Sequence, residues 1–297
     1  MRRQVSSLPD AATLEAVLDV AARAPSLRNL QPWRWQVDGE AVHLYADWSR
    51  RTGDAPADRR DVLLGCGAVL DHCVVALAAA GWHPSVRRLP DRADDSHLAI
   101  LEVVEQPPQG GWRELASAIP QRRADRRPYG TRRIAPGTLE MLYIRARRLD
   151  VDLHVVPTSR WARLHDGAVE LRYPTGAGEA STETPDGAVL LVLGTRRDGD
   201  DMRLRAGEAL SHLTLTATAM GFASCPLTEP LNDTRSRLAL ACEVFDGAAH
   251  PQALIRVGHP LQGAEQLPPT ERRAARDVTV WLERPDAQFP NTPHRLI

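Results

Sequence analysis

Residues 24–35 read APSLRNLQPWRW, and they follow a segment whose apolar residues recur at helical spacing (Leu14, Val17, Leu18, Ala21, Ala22), with Asp10 placed to cap its start. Pro25 lacks a backbone N–H and ends that helix. Beyond it lies a run of side chains that donate and accept hydrogen bonds. Ser26, Asn29 and Gln31 can reach sugar-like hydroxyls or ring carbonyls, while Pro32 and Trp33 fix the exit of the chain and bury a large apolar surface. The same residues would also make a surface turn anchored by a tryptophan. Their types alone do not choose between the two.

Two further segments carry chemistry. Residues 121–133, QRRADRRPYGTRR, place six arginines in thirteen positions. Two arginine pairs separated by two residues can converge on one phosphate dianion, because each guanidinium presents a planar fork of donors. The alternative is a solvated basic linker. A nucleic-acid surface is disfavoured, since aromatic interleaving stops at Tyr129 and the net charge is −1. Residues 221–230, GFASCPLTEP, read as a stiff loop of small residues and two prolines, whose N–H groups can approach a planar ligand closely. Cys225 has no evident base beside it and reads as a buried structural thiol. His72 and His212 read as packing residues. No catalytic dyad and no metal-ligand spacing emerges, so neither catalytic nor metal-binding side chains are assigned.

The chain repeats itself weakly. Aligning residues 61–82 with 201–222, a shift of 140, matches Asp61 with Asp201, Leu64 with Leu204, Gly67 with Gly207, Leu70 with Leu210, His72 with His212 and Gly81 with Gly221. LEAVL (14–18) echoes LEMLY (139–143), and HLAIL (97–101) echoes QALIR (252–256). The recurring order of helix, long helix and strand predicts two fused halves, 1–120 and 121–297, intertwined as a pseudo-two-fold unit with a site at the internal interface. Helices are expected near 58–80, 112–121, 136–149, 201–220 and 234–243, and strands in VDGEAVHLYAD, SHLAILEVV, VDLHVV, GAVLLVLGT and PQALIRVG. Residues 157–187 begin like a helix and dissolve into a loop that could serve as a lid, and the tail after 262 is expected to wrap the surface.

Composition narrows the chemistry. All 37 basic side chains are arginine, which excludes Schiff-base lysines, a pyridoxal aldimine and the GK[ST] phosphate loop. Near-neutral charge gives no reason to expect nucleic acid or an acidic membrane as partner. Cys66, Cys73, Cys225 and Cys242 form no CxxC pair. No export signal follows the opening arginines, and the longest apolar run, within 73–80, is too short to span a bilayer. The expected location is cytoplasmic.

Taken together, the motifs resemble those of the flavin-dependent nitroreductases. APSLRNLQPWRW is similar to that family's APSxxNxQPW segment, and RRADRR to its RRSxR phosphate motif, with Ala124 in place of the serine. In ordinary members RRSxR comes first; here it follows about ninety residues later. That order, with CGAVLDHCVVALAAAGW, GFASCPLTEP, PQALIRVGHP and PPTERRAARDV, resembles the actinobacterial Acg-type branch, in which two nitroreductase-like halves are fused.

The resemblance implies an α+β nitroreductase-like fold and FMN as cofactor. Pro25, Ser26, Arg28 and Asn29, with Gln31 in the same loop, would line the ring and ribityl chain. Arg122, Arg123 and Arg126 would clamp the phosphate, joined by Arg272 and Arg273, while Pro226, Leu227 and Thr228 would lie beside the ring. A single RRSxR-like motif implies one FMN per chain. The missing serine must be replaced by a backbone N–H or Thr131. The implied activity is NAD(P)H-dependent transfer through flavin N5 to a small planar acceptor, nitroaromatic or quinone-like, by a monomeric pseudo-dimer or a homodimer of it. The competing reading is an FMN-sequestering protein with little turnover; a flavin-consuming enzyme of BluB type ranks third.

Overall fold

The structure, a computed structural model, describes residues 8–108, 110–173 and 186–282. Its first half runs α1 (Ala11–Ala21), β1 (Trp33–Val37), β2 (Val42–Ala46), α2 (Pro56–Ala79), β3 (Trp82–Arg88), β4 (His97–Glu105) and α3 (Trp112–Ala118). The second runs α4 (Pro136–Arg148), β5 (Asp152–Val155), β6 (Trp161–Arg163), β7 (Val169–Leu171), β8 (Val189–Thr195), α5 (Asp200–Ala219), β9 (Ala223–Leu227), α6 (Thr234–Phe245) and β10 (His250–Gly258), closing with α7 (Ala275–Val278) and β11 (Thr279–Trp281). Asp10 caps α1 by accepting the Thr13 N–H at 2.7 Å, and Pro56 and Pro136 open α2 and α4 at the position where a missing N–H costs nothing.

The two sheets follow the same strand order apart from β11. One sheet has the order β11-β1-β2-β4-β3 and the other β5-β8-β10-β9. All pairs within β1-β2-β4-β3 and within β5-β8-β10-β9 are antiparallel. The echoed pentapeptides fall on α1 and α4, and on β4 and β10, the same places in the two orders. Two of the edge strands, β3 and β9, contain a proline, which an edge tolerates because one side of it makes no ladder bonds.

Helices α2 and α5 cross at the centre with reciprocal contacts. A Cβ on Gly67 would stand 2.0 Å from the Leu204 carbonyl oxygen, and one on Gly207 would stand 2.2 Å from that of Leu64. Each glycine thus faces the other helix's copy of the same leucine, as at a two-fold interface. Glycine is the residue that lets the two backbones approach so closely. Nearby, Ser211 Oγ donates to Asp71 Oδ2 at 2.6 Å and His212 Nδ1 lies 3.2 Å from Asp71 Oδ1. His72, its repeat mate, is fully buried, and burial foremost, then Arg122, pushes its pKa well down, so the ring is neutral. Helix α2 has the length and apolarity of a membrane-crossing segment, but nine-tenths of its apolar window is buried inside the protein. A helix apolar on every side is a core helix here.

Four sequence expectations change. WRWQV is strand β1, with Trp33 and Trp35 buried beneath the sheet. GFASCPLTEP is not a loop throughout: residues 223–227 are β9, paired antiparallel with β10. The helix-like start of 157–187 is a 3-10 turn followed by the β6–β7 hairpin, while residues 174–185 of the proposed lid lie outside the described residues. The tail does not merely coat the surface. Ala275 and Val278 are buried, and β11 extends the first half's sheet parallel to β1.

Candidate functional site

The APSLRN segment leaves α1 under backbone strain. Arg28, Asn29 and Gln31 all have positive φ (47°, 58° and 51°), a region that costs a residue with a Cβ on the order of 1–2 kcal/mol. Specific bonds hold it there. Ser26 Oγ accepts the Gln31 N–H at 2.9 Å, Asn29 Nδ2 donates to the Glu271 carbonyl at 3.0 Å, and Gln31 Oε1 accepts the Arg273 N–H at 2.8 Å. Gly65 on α2 leaves room for the loop: a Cβ there would meet Pro32 and Ser26 at 3.3 Å. The C-terminal segment after β10 therefore clamps a loop of the first half in its strained shape.

Around this loop is a cavity of about 270 Å³. Its wall joins Pro25, Ser26, Arg28 and Asn29 to Arg122, Arg123 and Arg126, to Pro226, Leu227 and Thr228, and to Arg272. These come from four separated stretches of sequence. Two expected residues, Gln31 and Arg273, are not in the wall; they bond each other behind it, including Arg273 Nη1 to the Gln31 carbonyl at 3.5 Å. Thr131 is exposed and absent from the wall, where Thr270 stands instead. Arg23, Asp61 and Glu229 also line it. Asp61 carried a signal, as one end of the repeat; Arg23 did not, because an arginine after a helix is commonplace.

The arginines divide into two groups. Arg126 is paired: its Nη2 donates to Glu229 Oε1 at 2.7 Å, and that pairing outweighs burial to raise its pKa. Arg122 is buried, and no carboxylate among the described residues pairs with it. Its Nη2 donates to the Arg23 carbonyl at 3.2 Å, while Nε and Nη1 have no partner. Burial, then the charges of Arg272, Arg123 and Arg23, pushes its pKa down to about 9. Arg272 donates to the carbonyls of Thr270, Glu271, Arg23 and Ala24, leaves Nε unpartnered, and is pushed down to about 10 by burial and by Arg23 and Arg123. Arg123 spends its donors on the Leu267, Pro120 and Arg122 carbonyls. Buried like charges with spare donors are unfavourable unless an anion joins them.

A second lock holds the basic segment in place. Arg256 on β10 pairs with Asp186 and lies 4.4 Å over the Tyr129 ring, while Asp186 Oδ1 accepts the Tyr129 N–H at 2.9 Å. The nearby Cys225 is no nucleophile. Burial pushes its thiol up to about 11, against the pull of Arg126 and Arg256.

One wall residue has a charged counterpart in the repeat. Under the shift of 140, Thr228 and Ala68 correspond to Arg88 and Glu208, and these two side chains form a bidentate pair at 2.7 and 2.6 Å, with Glu208 buried.

No family model matches the chain. A Mycobacterium tuberculosis protein named "Putative NAD(P)H nitroreductase Rv3131" is 38% identical over 93% of this chain and 93% of its own. The acg protein of the same organism, given the same description, is 32% identical over 89% of this chain and 94% of its own. In three dimensions, a crystal structure of a "putative nitroreductase" from Anabaena variabilis superposes with a TM-score of 0.53 at 11% identity, covering 86% of this chain and 90% of that one. That likeness carries the fold, and the sequence identity over nearly the full length carries the kinship: the chain belongs to the nitroreductase family.

Proposed function

We propose that the cavity binds one FMN and that the protein is an NAD(P)H-dependent oxidoreductase delivering electrons to a small planar acceptor. The observation that carries this reading is the buried Arg122 beside the half-buried Arg272, whose unpartnered N–H groups meet no anion among the described residues. A phosphate dianion fits that donor set, since guanidinium forks match phosphate oxygens. Arg122 and Arg272 would hold the phosphate, with Arg23 and Thr270 beside them. Arg126 is better assigned to Glu229, a brace for the segment after β9, than to the phosphate.

When bound, the flavin supplies hydride exchange at N5. The chain's own residues bind and orient. Pro25, Ser26 and Asn29 form one wall, and Pro226, Leu227 and Thr228 the facing strand end. The Asn29 side-chain oxygen is buried without a partner and is available to a ligand donor. Cys225 stays a thiol, and no wall residue is needed as a nucleophile. The Arg88–Glu208 pair in the equivalent position supports one FMN per chain rather than two. The reciprocal α2–α5 contacts support fused halves at 1–120 and 121–297, and three buried free thiols suit a cytoplasmic protein.

The test is a purified sample titrated with FMN, then treated anaerobically with NADH and NADPH. Uptake of one equivalent and bleaching by either nucleotide is expected. A protein that takes up no FMN would refute the reading. A yellow protein that neither nucleotide bleaches would mark flavin storage instead.

A further inference from the structure

Helix α2 turns Asp61, Leu64 and Gly65 onto the cavity, and Asp61 does not belong in such a wall on packing grounds. It is 6% exposed, whereas carboxylates are seldom buried without donors. Its Oδ1 has no hydrogen-bond partner among the described residues; the Arg60 Nε lies 3.8 Å away, an ion pair beyond hydrogen-bond distance. Arg60 is a loose ion partner: its Nε faces Asp61 without a hydrogen bond, while Nη2 donates to Asn232 Oδ1 at 2.7 Å and Nη1 reaches the Leu231 carbonyl at 3.4 Å. The Thr228 hydroxyl is near enough to favour the Asp61 carboxylate but short of hydrogen-bond geometry. Thr228 Oγ1, in a residue 8% exposed, is therefore also unpartnered.

The repeat supplies a control. Asp201, the same position on α5, accepts from Arg197 Nη2 at 2.7 Å with its side chain 38% exposed. One aspartate of the pair is an ordinary surface residue; the other is held dry at a cavity wall with a spare acceptor. The surroundings also separate the two polar ends of the cavity. Charges acting on Asp61 come from Arg60, Glu229 and Asp58, and those acting on Arg122 from Arg272, Arg123 and Arg23. One end has spare donors and the other spare acceptors.

We propose that Asp61, with Thr228 beside it, is a specificity-determining acceptor that engages an N–H or O–H donor on the part of the ligand away from its phosphate. This rests on the FMN reading above. The groups facing Asp61 are Asp58 and Arg60 on its own helix, and Thr228 and Glu229 after β9, Glu229 being held by Arg126. Burial, the largest influence, raises the Asp61 pKa to about 6, so its charge changes within an accessible range.

The experiment is ligand titration by flavin fluorescence between pH 5 and 8, on the wild-type protein, Asp61→Asn and Thr228→Val. FMN's own phosphate ionises in the same range, so the pH profile is read with riboflavin, which has none. Wild-type affinity for riboflavin should rise through pH 6 as the acceptor ionises. Asp61→Asn should abolish that rise and weaken both FMN and riboflavin roughly tenfold at pH 7.5, the low end for a charge-assisted hydrogen bond. Replacing a strained buried carboxylate by an amide should leave the fold intact; if it does not, a severalfold loss in Thr228→Val decides. Equal affinity and an unchanged pH profile in a folded Asp61→Asn variant would overturn this inference alone. A wild-type protein that binds no flavin would overturn the cofactor reading, and this inference with it.

Discussion

Replacing Arg122 by glutamine should stabilise the empty protein and weaken its hold on FMN, two effects of opposite sign from one side chain. The magnitude follows from the site. Burial and three neighbouring guanidinium groups lower the Arg122 pKa from 12.5 to about 9. At ~1.4 kcal/mol per pKa unit, this is a penalty on the order of 4–5 kcal/mol for keeping the charge in the folded apoprotein. The group remains protonated at neutral pH, so the penalty is borne rather than avoided. Glutamine removes the charge, and even partial relief of ~1–2 kcal/mol would raise the melting temperature by ~2 °C or more. FMN affinity should fall by about 1.5–3 kcal/mol, the value of hydrogen bonds to a charged group. Melting curves of the flavin-free protein, in buffer without phosphate or sulfate, read the first effect. Fluorescence titration with FMN reads the second. Inorganic phosphate should raise the wild-type melting temperature and leave Arg122→Gln nearly unmoved. A variant that melts lower than wild type and binds FMN equally well would refute the idea that these arginines await an anion.

Other outcomes follow from the same structure. Gly67→Ala should destabilise by about 1–3 kcal/mol or more in urea unfolding, because its Cβ would meet the Leu204 carbonyl oxygen at 2.0 Å and force α2 and α5 apart. Of the four thiols, only Cys242 is exposed, while burial raises Cys225 to about 11 and Cys73 to about 12. A thiol-reactive dye at pH 8 should therefore titrate one group rapidly in the native protein and four in denaturant. For Asp61 the folded pKa, about 6, lies above the usual 3.8, so the empty protein loses stability as pH rises from about 4 through 6. Asp61→Asn should flatten that decline and gain up to ~3 kcal/mol at pH 7.5, measured by denaturant midpoint. Glu208→Ala should cost about 3 kcal/mol or more, since it strands Arg88 beside the core; equal stability would show that pair to be incidental.

Much of this was legible in the chain. The apolar spacing gave α1, though it ends at Ala21 and not at Pro25; the shift of 140 gave the two central helices and, in Gly67 and Gly207, the very residues that meet. Eleven of the thirteen expected cofactor residues stand around one cavity, with Gln31 and Arg273 the exceptions. Strands β1, β3, β9 and β11 were harder: each lies at or next to a sheet edge, and β3 and β9 contain a proline that reads as a turn.

What the linear sequence determined by itself was the inventory: which helices pack at the centre, where arginines cluster, and that lysine chemistry is absent. Only the tertiary structure decided what each arginine does. Arg122, Arg123 and Arg126 are alike in sequence, yet one is buried without a counter-charge, one is spent on loop carbonyls, and one is paired with Glu229. The same holds for Asp61 and Asp201, equal in the repeat and opposite in environment. The physical reason is that a charge has no fixed cost. Desolvation and the partners within a few ångströms set it, and those are properties of the folded chain.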